Sequence, residues 1–135
     1  MEYEAIYEFS DSSPYIKTSV QVRPFVEKEA VAFLAQRLNF QGVISCTVNG
    51  EEIPLSQTGR VWESRNTKLD KVNLELVGRD EKVEIRNVEI PNGSNLFIYN
   101  SGEGNITLFF AFLDGEAKIQ PRWWKFSYEI GVKGR

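Results

Sequence analysis

Apolar residues return at every second position over most of this chain, the period of strands with one buried face. Near the start, Tyr3, Ala5, Tyr7 and Phe9 share one phase, while Glu2, Glu4 and Glu8 share the other with Ile6. Asp11-Ser12-Ser13-Pro14 follows, turn chemistry in which Asp and Ser bond their own backbone and Pro pre-sets φ. Ile16, Thr18, Val20 and Val22 then alternate with Lys17, Ser19, Gln21 and Arg23, so the two segments read as a hairpin.

The spacing changes at Pro24. Ala30, Val31, Phe33, Leu34 and Leu38 recur at helical intervals, with Glu27 and Glu29 near the start and Arg37 near the end, as the helix dipole favours. Pro24 suits a first turn, and Asn39 with Gly42 supplies a stop. The pattern predicts one α-helix at about 24–38 that packs Phe33, Leu34 and Leu38 on a sheet face.

Strands and turns return after it. The segment from Gly42 to Val48 runs into Asn49-Gly50, a two-residue hairpin signal, and Glu51 to Leu55 leads back. A polar connection follows from Ser56 to Lys68, interrupted by Val61-Trp62. Val72, Leu74 and Leu76 alternate with polar neighbours, and Gly78 to Glu81 turns the chain. Val83 and Ile85 lie on one phase and Val88 and Ile90 on the other, which predicts a bulge near Arg86-Asn87. After a break at Pro91-Asn92-Gly93-Ser94, Leu96 to Tyr99 is apolar throughout, as in an inner strand. Ser101 to Asn105 turns, Ile106 to Leu113 is apolar on both faces, Asp114-Gly115 signals another turn, and Arg122 to Val132 closes the chain.

Many short strands and one helix predict a mainly β fold: a two-sheet antiparallel β-sandwich, one domain over 1–135. A jelly-roll-like connectivity is compatible with these spacings, which leave the strand order open.

Composition narrows the chemistry. The 135 residues carry 19 acidic and 16 basic side chains, a net charge of −3, where a duplex DNA binder normally has a basic surplus. There is no histidine, which removes Ser-His-Asp and Cys-His catalysis, the HExxH zinc site and the commonest general base. Cys46 is the single cysteine, so no intramolecular disulfide forms, and its flanks place it in a buried strand. Paired carboxylates such as Glu51-Glu52 sit in turns or on solvated faces, and Ser101-Gly102-Glu103-Gly104-Asn105 lacks the Lys-Ser/Thr and the following helix of a phosphate loop. The expectation is a protein that is not an enzyme and needs no cofactor or metal. Ile106 to Leu113 is far too short to span a bilayer. The acidic Met1-Glu2-Tyr3-Glu4 start is unlike a signal peptide, so the chain is expected to stay where it is made, in the cytoplasm or in a larger particle.

Two segments are candidates for contacts. In Pro121 to Tyr128 aromatic and basic residues interleave, as in a stacking platform. Strand alternation assigns Trp124, Phe126, Tyr128, Ile130 and Val132 to a core face, leaving Trp123 and Lys125 on the other. The connection 57–68 holds Arg60, Trp62 and Arg65, an interface-like composition, although Trp62 would serve equally as a plug for the end of a sandwich.

The leading expectation is therefore a structural or assembly module that acts through protein–protein contacts, self-association into a homo-oligomer first among them. Small sandwiches serve in this way in virion shells, appendages and surface assemblies. A carbohydrate-binding module using Trp123 and Trp62 is the alternative. Single-stranded nucleic-acid binding through the same residues with Arg60, Arg65 and Lys125 ranks third, and nucleic acid is disfavoured by the charge. The opening strand is purely acidic, and Lys118 to Arg135 holds five basic residues against one acidic. Those charges are expected to pair within one sheet or across two subunits.

Overall fold

The computed structural model describes residues 1–66, 71–89 and 93–134, the side chains of 30–32, 34, 35, 66 and 113–117 excepted. The described residues form β1 (Glu2–Ser10), β2 (Ser13–Arg23), β3 (Lys28–Phe40), β4 (Ser45–Val48), β5 (Glu51–Ile53), β6 (Gly59–Glu63), β7 (Lys71–Val77), β8 (Glu81–Glu89), β9 (Asn95–Gly102), β10 (Asn105–Ile119) and β11 (Trp124–Gly134), with one 3-10 turn at Ser64–Asn66. The fold is mainly β, and its strands pair antiparallel. A seven-stranded sheet has the order β1-β2-β11-β8-β7-β4-β5, and a four-stranded sheet the order β3-β10-β9-β6.

Local turn chemistry explains the hairpins. Asn49 and Gly50 take φ of 49° and 82° between β4 and β5, and Glu103 and Gly104 take 56° and 77° between β9 and β10. Positive φ at both positions gives the turn whose twist matches that of the strands. The β7–β8 turn is closed by the Gly78 N–H donating to the Glu81 carbonyl at 2.8 Å. The bulge stands where the phase change places it: Leu74 faces Ile85 but Val72 faces Val88, and Asn87 takes a φ of 53°. Ile90 and the break at 91–92 lie outside the described residues.

The helix expected at about 24–38 is not formed. Residues 24–27 are a bend with Pro24 buried, and Lys28 to Phe40 is strand β3, paired along its length with β10. Register shifts produced the helical spacing. Gln36 faces Phe110 and Leu34 faces Ala111, so Ala35 is an extra residue in β3; Phe112 is then extra in β10. Each bulge moves the inward side chains to the other phase. Phe33 is thereby buried on an odd position, while Leu38 and Phe40 pack against the core on even ones. The side chains of Ala30, Val31 and Leu34 fall outside the described ones.

Three smaller expectations change as well. The backbone does not turn at Asp114-Gly115, where β10 continues to Ile119 through further register shifts. The polar connection contains strand β6, which pairs with β9, while residues 67 and 68 are outside the described range. Val132 is 57% exposed, so the closing apolar stripe leaves the core at its end.

The buried core cluster draws side chains from both sheets. Phe110 of β10 stacks on Phe126 of β11 with ring centroids 4.8 Å apart, and Phe33 meets Trp124 edge-on at 6.0 Å. Two buried asparagines on β9 hold the segment around β6. The Asn100 amide donates to the carbonyls of Leu55 at 3.1 Å and Gln57 at 2.6 Å, while Asn95 Oδ1 accepts from Ser64 Oγ and the Arg65 N–H, each at 3.3 Å. Buried amides satisfied in this way fix a strand in place, where unsatisfied ones would cost stability.

Candidate binding surfaces

The fold divides the sequence-predicted residues between the two sheets. Lys125 lies on β11 of the seven-stranded sheet and Trp123 immediately precedes that strand, whereas Arg60 and Trp62 lie on β6 and Arg65 on the 3-10 turn beyond it. They do not form one constellation.

Trp123 is half-buried, and the Arg23 guanidinium stands over its ring, 4.9 Å from the centroid. Arg23 also pairs with Glu2. Lys125 is exposed, opposite Gln21, which is opposite Glu4 on β1. The acidic opening strand and the basic closing strand are therefore separated by β2. Its charges are answered there, by Arg23 at Glu2 and by Lys17 opposite Glu8.

A bulge at Val61 decides the orientation of β6. Arg60 faces the exposed Tyr99, and Trp62 faces the fully buried Ile98, so Trp62 packs against the core. Arg60 lies over the Phe97 ring at 3.8 Å and pairs with Glu63 at 2.7 Å; Arg65 reaches the same carboxylate at 3.2 Å. Burial raises the Glu63 pKa, but the hydrogen bond from Arg60 and the charges of Arg65 and Arg60 outweigh it and hold the carboxyl below its ordinary value. Both arginines thus serve an internal ion pair. Phe97 also stacks on Phe109 at 4.7 Å, and Tyr99 meets Phe109 edge-on at 6.4 Å. This aromatic row was hidden in the sequence because Leu96 to Tyr99 reads as buried on both faces.

The centre of the larger sheet's outer face is a polar network. Tyr15 lies between two cations, Arg86 at 3.5 Å and Lys133 at 5.3 Å from its centroid, and its hydroxyl donates to Glu84. Lys133 bonds Glu84 at 3.2 Å and Arg86 bonds Glu129 at 2.8 Å. Open grooves of about 450 Å³ and 310 Å³ flank the network. The Tyr15 hydrogen bond foremost lowers the Glu84 pKa, and the Arg86 hydrogen bond that of Glu129. A general acid working near neutral pH needs the opposite shift. These carboxylates act as ion-pair acceptors. Among the described residues, no cluster of three or more His, Cys, Asp and Glu side chains could hold a metal, and no helix is long and apolar enough to cross a membrane.

β1 presents a different kind of surface. It is an edge strand, hydrogen-bonded on one side to β2. Tyr3, Ala5 and Tyr7 stand opposite Val22, Val20 and Thr18, all buried, so they point to the core side of the sheet. Yet Tyr3 is 55% exposed and Tyr7 52%, and Phe9, at the register shift that ends the pairing, is 76% exposed. The smaller sheet ends at β3, which touches β2 and reaches β11 where the Tyr128 hydroxyl donates to Gln36 at 2.9 Å. On β1, Ala5 packs against the core cluster while Tyr3 and Tyr7 on the same face stay exposed. Sequence periodicity could not show this, because an exposed strand face alternates like a covered one. Comparison of the chain with protein-family models, curated proteins and solved structures finds no match.

Proposed function

We propose that this chain is a non-enzymatic assembly module: a single two-sheet β-sandwich domain that works by joining another protein chain along β1. The observation that carries the reading is the exposure of β1 on both faces, with Tyr3 and Tyr7 on its inner phase and Ile6, 47% exposed, on its outer one. An exposed edge offers a row of backbone donors and acceptors that template a further strand. Natural edges are usually blunted by charged side chains, Pro, bulges or shortness. β1 runs for nine residues without Lys or Pro; its charges are the three glutamates, and its register with β2 is regular from Glu2 to Glu8 and shifts only between Glu8 and Ser10. The carbohydrate reading is less favoured, because Trp62 is partly packed against the core and Arg23 stands over the Trp123 ring.

The test is whether any chain, a second copy or an added strand peptide, docks on β1. Labelled protein is titrated against itself and against extended peptides while β1 and β2 amide shifts are followed. Association that perturbs β1 and is abolished by Tyr7→Lys, an inward-pointing charge at an exposed position, is the expected result. A chain that stays monomeric at high concentration and shows no β1 response to any strand peptide contradicts it.

A further inference from the structure

The assembly reading leaves open which chain takes the edge, and the charge pattern of β1 narrows the choice. We infer that the occupant is an extended segment of a different protein in which apolar side chains alternate with lysine or arginine; this rests on the reading of β1 as a docking edge. A strand added to β1 places its side chains alternately on the two faces of the enlarged sheet. On the inner face they meet Tyr3 and Tyr7, with the small Ala5 between them. On the outer face they stand opposite Glu2, Glu4 and Glu8. Glu2 already pairs with Arg23 and Glu8 stands opposite Lys17, but Glu4 faces only Gln21 across β2. Cations on the incoming strand would answer Glu4 first and Glu8 next.

The same charges disfavour a symmetric pair of β1 strands. A two-fold axis normal to the sheet keeps every side chain on its own face, so residue i can only meet a partner residue of the same parity. With Ile6 on the axis, Glu4 stands opposite Glu8. With Ala5 on the axis, Glu2 stands opposite Glu8, and with Glu4 on it the two Glu4 residues face each other. The Tyr7-centred register leaves Glu8 diagonal to both Glu4 and Glu8 of the other copy. Like charges directly opposite in a strand pair are destabilising, and diagonal neighbours lie within reach of long side chains. The far edge of the same sheet, β5, begins Glu51-Glu52, so head-to-tail addition of β1 to β5 brings acids together again.

The test uses the whole chain and synthetic nine-residue peptides that alternate valine with lysine, alternate valine with glutamate, or hold the lysines in one block. Dissociation constants come from fluorescence anisotropy, and the docking position from amide shifts. The alternating lysine peptide should bind on β1, about tenfold more weakly to Glu4→Lys/Glu8→Lys, and more weakly in high salt. The glutamate and block peptides should bind at least tenfold more weakly to the unchanged protein. Equal binding of the glutamate peptide, docking away from β1, or indifference to the Glu4 and Glu8 substitutions overturns the inference. Self-association through β1 without peptide also overturns it but sustains the assembly reading. The absence of both peptide binding and self-association defeats both.

Discussion

The Tyr15 ring lies on Gly131, its partner across the β2–β11 pair, so closely that a Cβ built on Gly131 would stand 2.8 Å from Tyr15 Cδ1. The missing side chain is what lets the ring lie flat on the sheet, and Arg86 holds it there from above.

Gly131→Ala should therefore destabilise the fold by about 1–3 kcal/mol, the usual cost of forcing extra volume into a packed position. A glycine free of such a neighbour would respond the other way, gaining about 0.4–1 kcal/mol from a stiffer unfolded chain. Urea denaturation decides the sign, and an unchanged or higher midpoint would show that the ring moves aside without cost.

Phe33→Ala should cost about 3–5 kcal/mol, as for other buried phenylalanine truncations. The side chain is buried against Phe112 at 5.4 Å and Trp124 at 6.0 Å, one contact within its own sheet and one with the other sheet. A loss below about 1 kcal/mol in the same measurement would mean that β3 does not close the core.

Acid should unfold the protein through its ion pairs. The pKa values of Glu63, Glu84 and Glu129 are lowered in the folded chain, from an ordinary value of 4.5. A lowered folded pKa gives stability that is present above the unfolded value and lost as pH falls through the folded one. The thermal midpoint should thus hold steady from neutral pH to near 5 and drop below about 4.5. In Glu84→Gln/Glu129→Gln the curve should start lower at neutral pH and fall less steeply. An identical slope in the variant would remove these carboxylates from the account.

How much of this was legible in the sequence varied with the kind of signal. Asn49-Gly50 and the phase change at Arg86-Asn87 are local, and both were read directly because the turn and the bulge need those residues there. β3 was misread because bulges at Ala35 and Phe112 reproduce helical spacing, and the partner strand that sets its register lies far away in the chain. Among the candidate contacts, alternation placed Lys125 on an exposed face and Trp124, Phe126 and Tyr128 inside. It could not place Trp62, whose direction depends on one extra residue at Val61. Nor could it separate a covered inner face from the exposed one at Tyr3 and Tyr7. That distinction depends on long-range packing, which no local pattern records.

Residue-resolved hydrogen exchange along β1 tests the central claim most directly. In an antiparallel edge strand, successive amides point alternately toward the paired neighbour and away from it. In dilute free protein, alternate amides from Glu2 to Ser10 should exchange near the rate of an unprotected chain, while those directed at β2 are slowed. The valine–lysine peptide should protect the fast set and leave the slow set unchanged. Uniform protection along β1 in the free, dilute protein, or a fast set that the bound peptide leaves unprotected, would contradict the reading of β1 as a vacant docking edge.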